Sequence, residues 1–445
     1  MTELRPYQEE DVEHYRTHDS TGNFSEQRTG KTPPVCTILK EKQFRRVLIV
    51  CPASLCYMWR AELKRWAELN SEVADTTSFT PAKTGICIAN YEKIRGDKNN
   101  QKFFNTILKW KPEAIVLDEA HRIKNRTSLT FTNLRKLRNC KFKIALTATP
   151  AFNKPWDVWA ILNWLFPKVF SSYWNFIDEY FEKEITWVHG EPKESPLRFK
   201  PKADELLRMN LDIYCIQHKR KEVMEWIEDM EEPTIVKLKC TTEQRRAIDA
   251  LTNYFEYKNI CTKTILDNLI RIRQVCAAPK ILALNSASPK TEWLVQYLKD
   301  YPEQSTLVFS NSKKFLYYIS YALKKNNIQT STISGDVAID KRQGIVDAFQ
   351  AGEIKVLLLQ TQAAKEGLTL DKADVSIFLD TYPPASDYLQ AKDRMVAVSE
   401  ERNKPKEIIH VMMEDTYDEQ LYTLVEQNIS NTAIINDYKK YIGKE

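Results

Sequence analysis

Glycine is scarce in this chain, with only 10 in 445 residues, which argues against a glycine-rich all-β or low-complexity architecture. None of the nine cysteines lies in a C-x-x-C pair, so we expect reduced thiols rather than disulfides or zinc ligands. No apolar run approaches the roughly 20 residues that a membrane helix requires. The polar, acidic N-terminus does not resemble a signal peptide. We therefore expect a soluble protein of the cytoplasm.

The chain also has little excess charge of either sign. Lysine and arginine total 65 and aspartate and glutamate total 60, a difference of 65 − 60 = 5. This balance permits nucleic-acid binding without requiring it, because a basic face can be hidden within a nearly balanced total. The hydrophobic content of 43% is ample for burial. A chain of this length predicts two or three domains.

Short β-branched runs alternate with amphipathic stretches in two blocks of the chain. The runs lie at 46–52, 85–90, 114–121 and 143–150 in the first block, and at 305–312, 328–335, 355–362, 375–381 and 407–413 in the second. Strands that alternate with helices predict βαβ units and parallel sheets. The predicted fold class is therefore α/β, with two doubly wound lobes. In such folds ligands bind at the carboxyl ends of strands, where polar residues follow each run.

The pattern changes between the two blocks. Aromatic and aliphatic residues recur at helical spacing through 152–285, which indicates a helical insertion or brace. Inside it, 184–200 alternates in polarity on both sides of a turn that contains Gly190 and Pro192. This alternation predicts a β-hairpin. The resulting domain boundaries are 1–155 for a first lobe, 156–285 for the insertion and 286–445 for a second lobe.

The segment SEQRTGKT, Ser25 to Thr32, lacks the glycine that a phosphate-binding loop carries at its first position. Such a loop needs backbone N–H groups around the phosphate, a helix N-terminus behind them, Lys31 near the β- and γ-phosphates and Thr32 on Mg²⁺. Pro33 and Pro34 are compatible with a first helical turn, where N–H groups lack intrahelical partners. A lone Gly-Lys-Thr leaves a chance match open.

A second motif, LDEAH at 117–121, strengthens the first. It places Asp118 and Glu119 at the end of a predicted strand. Asp118 would hold Mg²⁺ through water, and Glu119 would orient or deprotonate an attacking water. The alternative is two acidic residues in a surface loop. The Gly-Lys-Thr loop at the end of the same predicted sheet disfavours that alternative.

Together with further segments, these motifs give the chain a family resemblance. The segments of the first lobe are LRPYQ (4–8), the GKT loop, CPASLCYMWRAELKRW (51–66), NYEKI (90–94), DEAHRIKN (118–125) and LTATP (146–150). Those of the second are LVFSN (307–311), SGD (334–336), LLLQTQAAKEGLTL (357–370), YLQAKDR (388–394) and DTYDEQLY (415–422). In this order the chain resembles the Swi/Snf-type superfamily-two DEAH-box DNA helicases and translocases. Its small size resembles compact phage or bacterial branch-migration helicases.

The resemblance implies two RecA-like lobes, ATP and Mg²⁺ as cofactors, and a set of site residues. The residues implied at the nucleotide are Arg5, Tyr7, Gln8, Arg28, Thr29, Gly30, Lys31, Thr32, Gly367, Gln390 and Arg394. Catalytic roles fall to Lys31, Asp118, Glu119 and Arg394, and the Mg²⁺ ligands are Thr32 and Asp118. Thr147 and Thr149 are implied to couple the nucleotide site to DNA.

The resemblance also implies contacts with the DNA backbone. They fall at Pro52, Ser54, Asn90, Tyr91, Lys124, Asn125, Ser310, Asn311, Thr361 and Lys365. Hydroxyl, amide and lysine groups suit phosphate contacts, which position DNA without reading its sequence. Strand-end capping is the alternative role for Ser54, Ser310 and Thr361.

The predicted hairpin suggests a wedge for strand separation, with Trp187 and His189 near its tip. The alternative is a hairpin that packs against the helical insertion.

The chain departs from the family pattern in its last motif, which reads QAKDRMVA. Arg394 is present, but Ala397 stands where the family has a second arginine. An arginine finger supplies roughly 10³–10⁵ in rate, so the difference matters. Three explanations stay open: Arg394 suffices, Arg402 reaches the site, or Ala397 was introduced to slow hydrolysis. Ala364 and Lys365 also replace a glycine pair of the family.

The resulting hypothesis is a monomeric, ATP-driven motor on duplex, forked or branched DNA, in a bacterium or a phage-infected host. Branch migration or fork remodelling is the expected output. Two alternatives of other classes stay open: a DNA-binding clamp with weak ATPase activity, and an RNA helicase.

Overall fold

The computed structural model describes residues 3–76, 79–148, 150, 155–188, 191–223, 232–364, 368–380, 388, 391–395 and 406–426. The chain divides into two compact units, Met1–Glu225 and Trp226–Glu445. Among the helices in these ranges, none combines the length and the apolar character that a membrane-spanning segment needs.

The first unit is built on a parallel sheet. Its strands are β1 (Ser20–Asn23), β2 (Arg46–Cys51), β3 (Ser71–Val73), β4 (Gly85–Asn90), β5 (Ala114–Asp118), β6 (Phe142–Leu146), β7 (Phe181–Val188), β8 (Glu191–Phe199) and β9 (Cys215–Ile216). Its helices are α1 (Pro6–Thr17), α2 (Thr32–Lys42), α3 (Cys56–Ala67), α4 (Tyr91–Arg95), α5 (Gln101–Trp110), α6 (Leu129–Leu137), α7 (Val158–Leu165), α8 (Tyr173–Tyr180), α9 (Ala203–Tyr214) and α10 (Arg220–Val223). Seven strands form the sheet in the order β3-β4-β2-β5-β6-β1-β9, and every pair is parallel.

Both faces of this sheet are covered. Along β2, Leu48 and Val50 pack into one hydrophobic cluster. Val47 and Ile49 pack into a second cluster. A strand buried on both faces carries a continuous apolar run, which is the pattern that predicted β2.

The sequence did not predict β1, whose four residues STGN include no aliphatic or aromatic side chain. It nevertheless lies inside the sheet, between β6 and β9. Gly22 makes this position possible, because a β-carbon there would lie 2.7 Å from Phe24 Cζ and 2.9 Å from Cys215 Sγ. The strand is therefore specified by close packing of its neighbours rather than by its own β-propensity.

The predicted hairpin is present as the antiparallel pair β7 and β8. Its base is part of the hydrophobic core, where the rings of Phe181 and Phe199 lie 4.5 Å apart. Its outer part is exposed, and the Trp187 side chain is 72% accessible. The hairpin is thus anchored at one end and solvated at the other.

The second unit carries its own parallel sheet. Its strands are β10 (Thr234–Leu238), β11 (Glu256–Tyr257), β12 (Ile260–Cys261), β13 (Thr306–Ser310), β14 (Thr330–Ile333), β15 (Val356–Gln360), β16 (Val375–Phe378) and β17 (Glu407–Met413). Its helices are α11 (Thr242–Tyr254), α12 (Ile265–Ala277), α13 (Pro289–Asp300), α14 (Lys313–Lys325), α15 (Ile339–Ala351), α16 (Thr361–Ala364) and α17 (Tyr417–Glu426). The sheet order is β10-β17-β16-β13-β15-β14, again parallel throughout.

The α/β class with two parallel-sheet lobes is confirmed, but the domain boundaries differ from those predicted. The segment 156–285 is shared between the two units rather than forming a body of its own. Within it, β9 joins the first sheet and β10 joins the second. Both are edge strands, and β9 has only two residues, so neither produced a recognisable strand pattern among the helical residues around it.

Candidate active site

Three neighbouring strands of the first sheet end in residues that the sequence singled out. β5 and β1 flank β6, and Asp118 and Asn23 each lie opposite Leu146. The phosphate-loop segment follows β1, Thr147 follows β6, and Glu119 follows β5. Because the carboxyl ends of parallel strands share one edge of the sheet, the motifs meet there.

The segment between β1 and α2 forms a compact loop around Lys31. The Lys31 ammonium donates to the carbonyl oxygens of Ser25 and Glu26, each at 2.8 Å. The chain reaches this shape with left-handed φ values of 68° at Arg28 and 70° at Gly30. α2 then begins at Thr32, so the Lys31 side chain belongs to the residue that precedes the helix N-terminus. That end of a helix favours an anionic ligand.

Two side chains of α1 hold this loop from the other side. The Tyr7 hydroxyl donates to the Thr29 carbonyl at 2.7 Å, and the Gln8 amide donates to the Gly30 carbonyl at 2.9 Å. A β-carbon on Gly30 would lie 2.6 Å from Gln8 Nε2, so this contact requires glycine. The backbone N–H of Arg5 in turn donates to Gln8 Oε1 at 2.9 Å. Gln8 supports the loop, and its contact with adenine stays a prediction.

Asp118 is a half-buried carboxylate held by neutral donors. Trp59 Nε1 donates to its Oδ2 at 2.8 Å, and the Glu119 N–H donates to its Oδ1 at 2.9 Å. The Tyr91 hydroxyl donates to the backbone carbonyl of Asp118 at 2.7 Å. Burial, and then the charge of Glu119, raise the pKa of Asp118 to about 6, against the opposing effects of the Trp59 bond and the Lys31 charge.

Glu119 is connected to Thr147 through a histidine. His121 Nδ1 lies 3.2 Å from Glu119 Oε2 and 3.2 Å from Thr147 Oγ1. The Thr147 N–H donates to the Asn23 carbonyl at 3.1 Å, at the end of β1. Direct contacts thus link Glu119 of the acidic motif to Thr147, and Thr147 to the end of β1.

Sequence reasoning missed Trp59 and His121 as site residues. His121 belongs to the LDEAH segment itself, so its position in the motif was the available signal. Trp59 lies on α3, and no sequence pattern shows that its indole reaches a strand end 59 positions away along the chain.

The residues predicted to contact DNA from the first unit differ in exposure. Lys124 and Asn125 are exposed. Asn90 caps α4 by accepting from the Lys93 N–H at 2.9 Å. Tyr91 is buried with its hydroxyl on the Asp118 carbonyl. Pro52 is buried and Ser54 is half-buried at the turn before α3.

In the second unit the corresponding strand end is bonded internally. Ser310 is fully buried and its hydroxyl donates to Asp380 Oδ2 at 2.7 Å. The Asn311 N–H donates to Asp380 Oδ1 at 2.6 Å. Thr361 is buried, and its hydroxyl has no hydrogen-bond partner in the described part of the chain. Ser310 thus has the strand-end role that was its alternative, while contacts of these residues with DNA stay predictions.

Arg394 lies in the short turn Asp393–Met395 and is half-buried. Its Nη1 donates to the Leu368 carbonyl at 3.3 Å. Eight residues that the sequence analysis singled out lie outside the described residues: Thr149, His189, Gly190, Lys365, Gly367, Gln390, Ala397 and Arg402.

The side chains at this edge suit a Mg²⁺ ion that is shared with phosphate. In the ranges that the structure describes, no three His, Cys, Asp or Glu side chains gather into a metal-binding cluster. Mg²⁺ commonly binds through one or two carboxylates together with waters and substrate phosphates. Asp118 and the hydroxyl of Thr32 supply such a donor set, so the residues present fit the ion.

These features define a class: two RecA-like parallel-sheet lobes, the first with a lysine-bearing loop beside an acidic strand end. Family comparison agrees with this class. Residues 16–281 match the SNF2-related domain, and residues 289–397 match the helicase conserved C-terminal domain. The chain belongs to the SNF2-related family.

Individual relatives are distant in sequence. The chain is 25% identical to "Probable chromatin-remodeling complex ATPase chain" of Oryza sativa, over 87% of this chain and 36% of that protein. It is 26% identical to "ISWI chromatin-remodeling complex ATPase ISW1" of Saccharomyces cerevisiae, over 86% of this chain and 35% of that protein. It thus spans about a third of the length of these curated relatives.

Among solved structures, the chain is similar to one described as "Sulfolobus solfataricus SWI2/SNF2 ATPase core in complex with dsDNA". The sequence identity is 22% and the TM-score is 0.45, with 99% of this chain and 94% of that chain covered.

Proposed function

We propose that this chain is an ATP-dependent translocase that moves on duplex DNA. One observation carries the proposal: Lys31 and Asp118, 118 − 31 = 87 residues apart, lie at the same edge of the first sheet, where the Lys31 loop follows β1 and Asp118 ends β5. A cationic loop at a helix N-terminus and a partly buried carboxylate are the two parts that a nucleoside triphosphate with Mg²⁺ requires.

Each residue at the sheet edge has a defined task in this proposal. Lys31 exchanges the carbonyls of Ser25 and Glu26 for phosphate oxygens, while Thr32 and Asp118 hold the metal. Mg²⁺ supplies neutralisation of the charge that develops on the phosphates. Asp118 must be ionised to bind it, and the Trp59 and Glu119 N–H bonds stabilise that ionised form.

Glu119 is the residue that orients or deprotonates the attacking water. His121 holds the Glu119 carboxylate at 3.2 Å, and the same ring nitrogen contacts Thr147. A change in the position or charge of Glu119 therefore reaches Thr147 through a single side chain. We propose this contact as the first step in coupling hydrolysis to movement on DNA.

We assign Arg394 the role of arginine finger, which stabilises charge on the transferred phosphoryl group. The variant Ala397→Arg tests whether this single arginine suffices. An unchanged DNA-stimulated ATPase rate supports Arg394 alone, and a large gain contradicts it.

Duplex DNA is the proposed partner on the basis of family membership and of the exposed residues Lys124 and Asn125, which follow the acidic motif. Both suit phosphate contacts. The curated relatives are described as chromatin-remodelling ATPases, a use of DNA translocation in longer proteins. We propose forked or branched DNA as the preferred substrate of this shorter chain, with branch migration or fork remodelling as the outcome.

Strand separation is a second candidate activity, favoured by the solvated end of the hairpin. Trp187 and Ile185 are 72% and 65% exposed there, and an aromatic side chain can stack on an unpaired base. Deletion of 186–197 is expected to abolish unwinding and to leave DNA-stimulated ATP hydrolysis unchanged. Loss of both activities, or of neither, would contradict a wedge.

The proposed function is tested by steady-state ATP hydrolysis on linear, forked and four-way DNA, with Lys31→Ala as the inactive control. We expect stimulation by DNA that Lys31→Ala abolishes, and the strongest stimulation by branched DNA. Hydrolysis that stays at background with every DNA would support a clamp. Stronger stimulation by duplex RNA than by duplex DNA would support an RNA helicase.

A further inference from the structure

Ser25, which stands where phosphate loops carry a glycine, belongs to a closed ring of hydrogen bonds. Asp11 Oδ2 accepts from the Asn23 amide at 3.3 Å, and Asn23 Oδ1 accepts from the Ser25 N–H at 3.2 Å. The Ser25 hydroxyl accepts from the His218 N–H at 3.0 Å. His218 Nε2 lies 2.8 Å from Asp11 Oδ1 and closes the ring. Four segments of the first unit therefore meet at this residue.

Three members of the ring are buried, and the fourth, His218, is half-buried with 19% of its side chain exposed. Asp11 is 3% exposed, Asn23 is 0% exposed and Ser25 is 1% exposed. The bond from the His218 N–H to the Ser25 hydroxyl is partly buried, and a donor that loses its acceptor loses the free energy of that hydrogen bond. The Ser25 hydroxyl is the acceptor for the His218 N–H, and glycine or alanine at this position would supply none.

Two further bonds join the same loop to the segment after β9. The Glu26 N–H donates to the His218 carbonyl at 3.0 Å, and the Arg220 N–H donates to Glu26 Oε2 at 2.9 Å. The His218 ring also meets the edge of Tyr7, with ring centroids 5.3 Å apart. The first unit ends at Glu225, seven positions beyond His218 (225 − 218 = 7). The loop is thus tied to the segment through which the chain continues into the second unit.

The residues fixed by these bonds are the ones that position the lysine. Ser25 and Glu26 supply the two carbonyl oxygens that accept from Lys31 Nζ, each at 2.8 Å. A shift of these carbonyls would move the Lys31 ammonium with them. Because Lys31 exchanges these carbonyls for phosphate oxygens in the proposed function, the ring sets the position of the Lys31 ammonium before ATP binds and holds the backbone of the loop that would surround the phosphates.

We propose that Ser25 and His218 are positioning residues for the phosphate-binding loop, an inference that rests on the proposed binding of ATP. The phosphate loop lacks the glycine and its conformational freedom. It has instead a hydrogen bond from the His218 N–H, after β9, to the Ser25 hydroxyl. Introducing the glycine of the general phosphate-loop pattern at this position therefore weakens ATP binding, although it makes the loop sequence more regular. Glycine would also add backbone freedom to a segment that the ring now holds.

The test compares the full-length wild type with Ser25→Gly and Ser25→Ala. The dissociation constant for Mg·ATP without DNA is measured by calorimetry, and KM and kcat for ATP are measured at saturating duplex DNA. We expect both variants to raise the dissociation constant and KM by about tenfold, the effect of one lost hydrogen bond, with kcat within about twofold. A role in stability alone would lower the folded fraction without moving KM. Thermal unfolding of each variant separates the two effects.

Changes at His218 test the other half of the ring. His218→Ala removes the bond to Asp11, whereas His218→Gln keeps a donor that can reach it. We expect His218→Ala to raise KM and His218→Gln to restore a value near that of the wild type. Ser71→Ala is the matched control. It removes a buried hydroxyl of the same sheet that has no partner among the described residues, and KM should not change.

The outcomes separate this inference from the proposed function. If the wild type binds ATP and Ser25→Gly binds it equally or more tightly, the positioning role is wrong and the proposed function stands. If the wild type itself does not bind ATP, the proposed function fails, and the inference fails with it.

Discussion

The Asp118 carboxylate of the first unit and the Lys290 ammonium of the second unit have different surroundings. In the first unit, the two donors that contact the Asp118 carboxylate within the described residues, Trp59 Nε1 and the Glu119 N–H, are neutral. In the second unit, the buried Lys290 ammonium lies 2.5 Å from Asp418 Oδ2 and also donates to the Leu379 carbonyl at 2.5 Å. Its charge is neutralised by a partner of the same unit.

This difference separates a site from a structural element. A carboxylate whose pKa is raised to about 6 is one that a bound cation can stabilise. In a buried ion pair the two charges already stabilise each other within the fold. Asp118 therefore suits a binding site, whereas the Lys290–Asp418 pair joins α13 to α17.

The largest expected effect comes from Glu119→Gln, which keeps the shape of the side chain and removes its charge. A positioned acid or base contributes roughly 10²–10⁴ in rate, so DNA-stimulated ATP hydrolysis should fall by that factor. Binding of Mg·ATP should persist. A rate within a few-fold of the wild type would show that Glu119 does not act on the attacking water.

The second prediction concerns a variant that lacks the buried Lys290–Asp418 ion pair of the second unit. Lys290→Met leaves Asp418 buried without its cation, and removal of one partner of a buried pair costs about 3–5 kcal/mol in the free energy of unfolding. Urea unfolding measures this loss. The matched control is Lys313→Met, because Lys313 pairs with Asp336 at the surface, where such a pair contributes about 0–1 kcal/mol. Equal effects of the two variants would contradict the distinction between buried and exposed pairs.

The third prediction concerns the neutral donor to Asp118. Trp59→Phe removes one hydrogen bond to a charged acceptor, and the ATPase rate should fall about tenfold. Trp66→Phe on the same helix is the control, since Trp66 Nε1 donates to Glu62 Oε2 at 2.8 Å, away from the strand end. A similar fall in both variants would indicate damage to α3 rather than to the site.

The smallest expected effect is a pH dependence with opposite signs in the two units. The bond to Asp11 raises the pKa of His218. Its stabilising contribution is therefore complete below the ordinary histidine pKa of about 6.5 and is lost as the pH rises through the raised value. Burial lowers the pKa of His410 to about 3, so the contribution of His410 is complete above about 6.5 and is lost as the pH falls.

The charged groups around His218 are Asp11, Glu10 and Glu222, and all three favour its protonated form. His218→Gln should therefore reduce the free energy of unfolding more at pH 6 than at pH 9, as measured by urea titration at both values. An equal or larger reduction at pH 9 would contradict this assignment.

Much of the fold could be predicted because its central strands carry their own signal. The central parts of β2 and β4 are continuous apolar runs, and β17 is apolar except for Glu407 and His410, as strands buried on both faces are expected to be. The common location of the Lys31 loop, Asp118 and Glu119 at one sheet edge could also be predicted, while their roles stay predictions. Each of these features depends on local residue type and spacing.

The remainder depends on contacts between distant segments. β1 and β9 are strands because neighbours pair with them, and the four residues of β1 include no aliphatic side chain. The hydrogen bond from Trp59 to Asp118 joins positions 59 residues apart. The bond from His218 to Ser25 joins positions 193 residues apart. No local pattern reports such pairings, so the role of Ser25 could not be predicted from its place in the loop.

The central claim is that hydrolysis at the first unit drives movement along duplex DNA. Displacement of a third strand from a DNA triplex measures that movement directly. The wild type is expected to displace the third strand only with Mg²⁺ and ATP, and Glu119→Gln is expected to fail while still binding ATP. Displacement by the wild type without ATP, or equal displacement by Glu119→Gln, would contradict the claim.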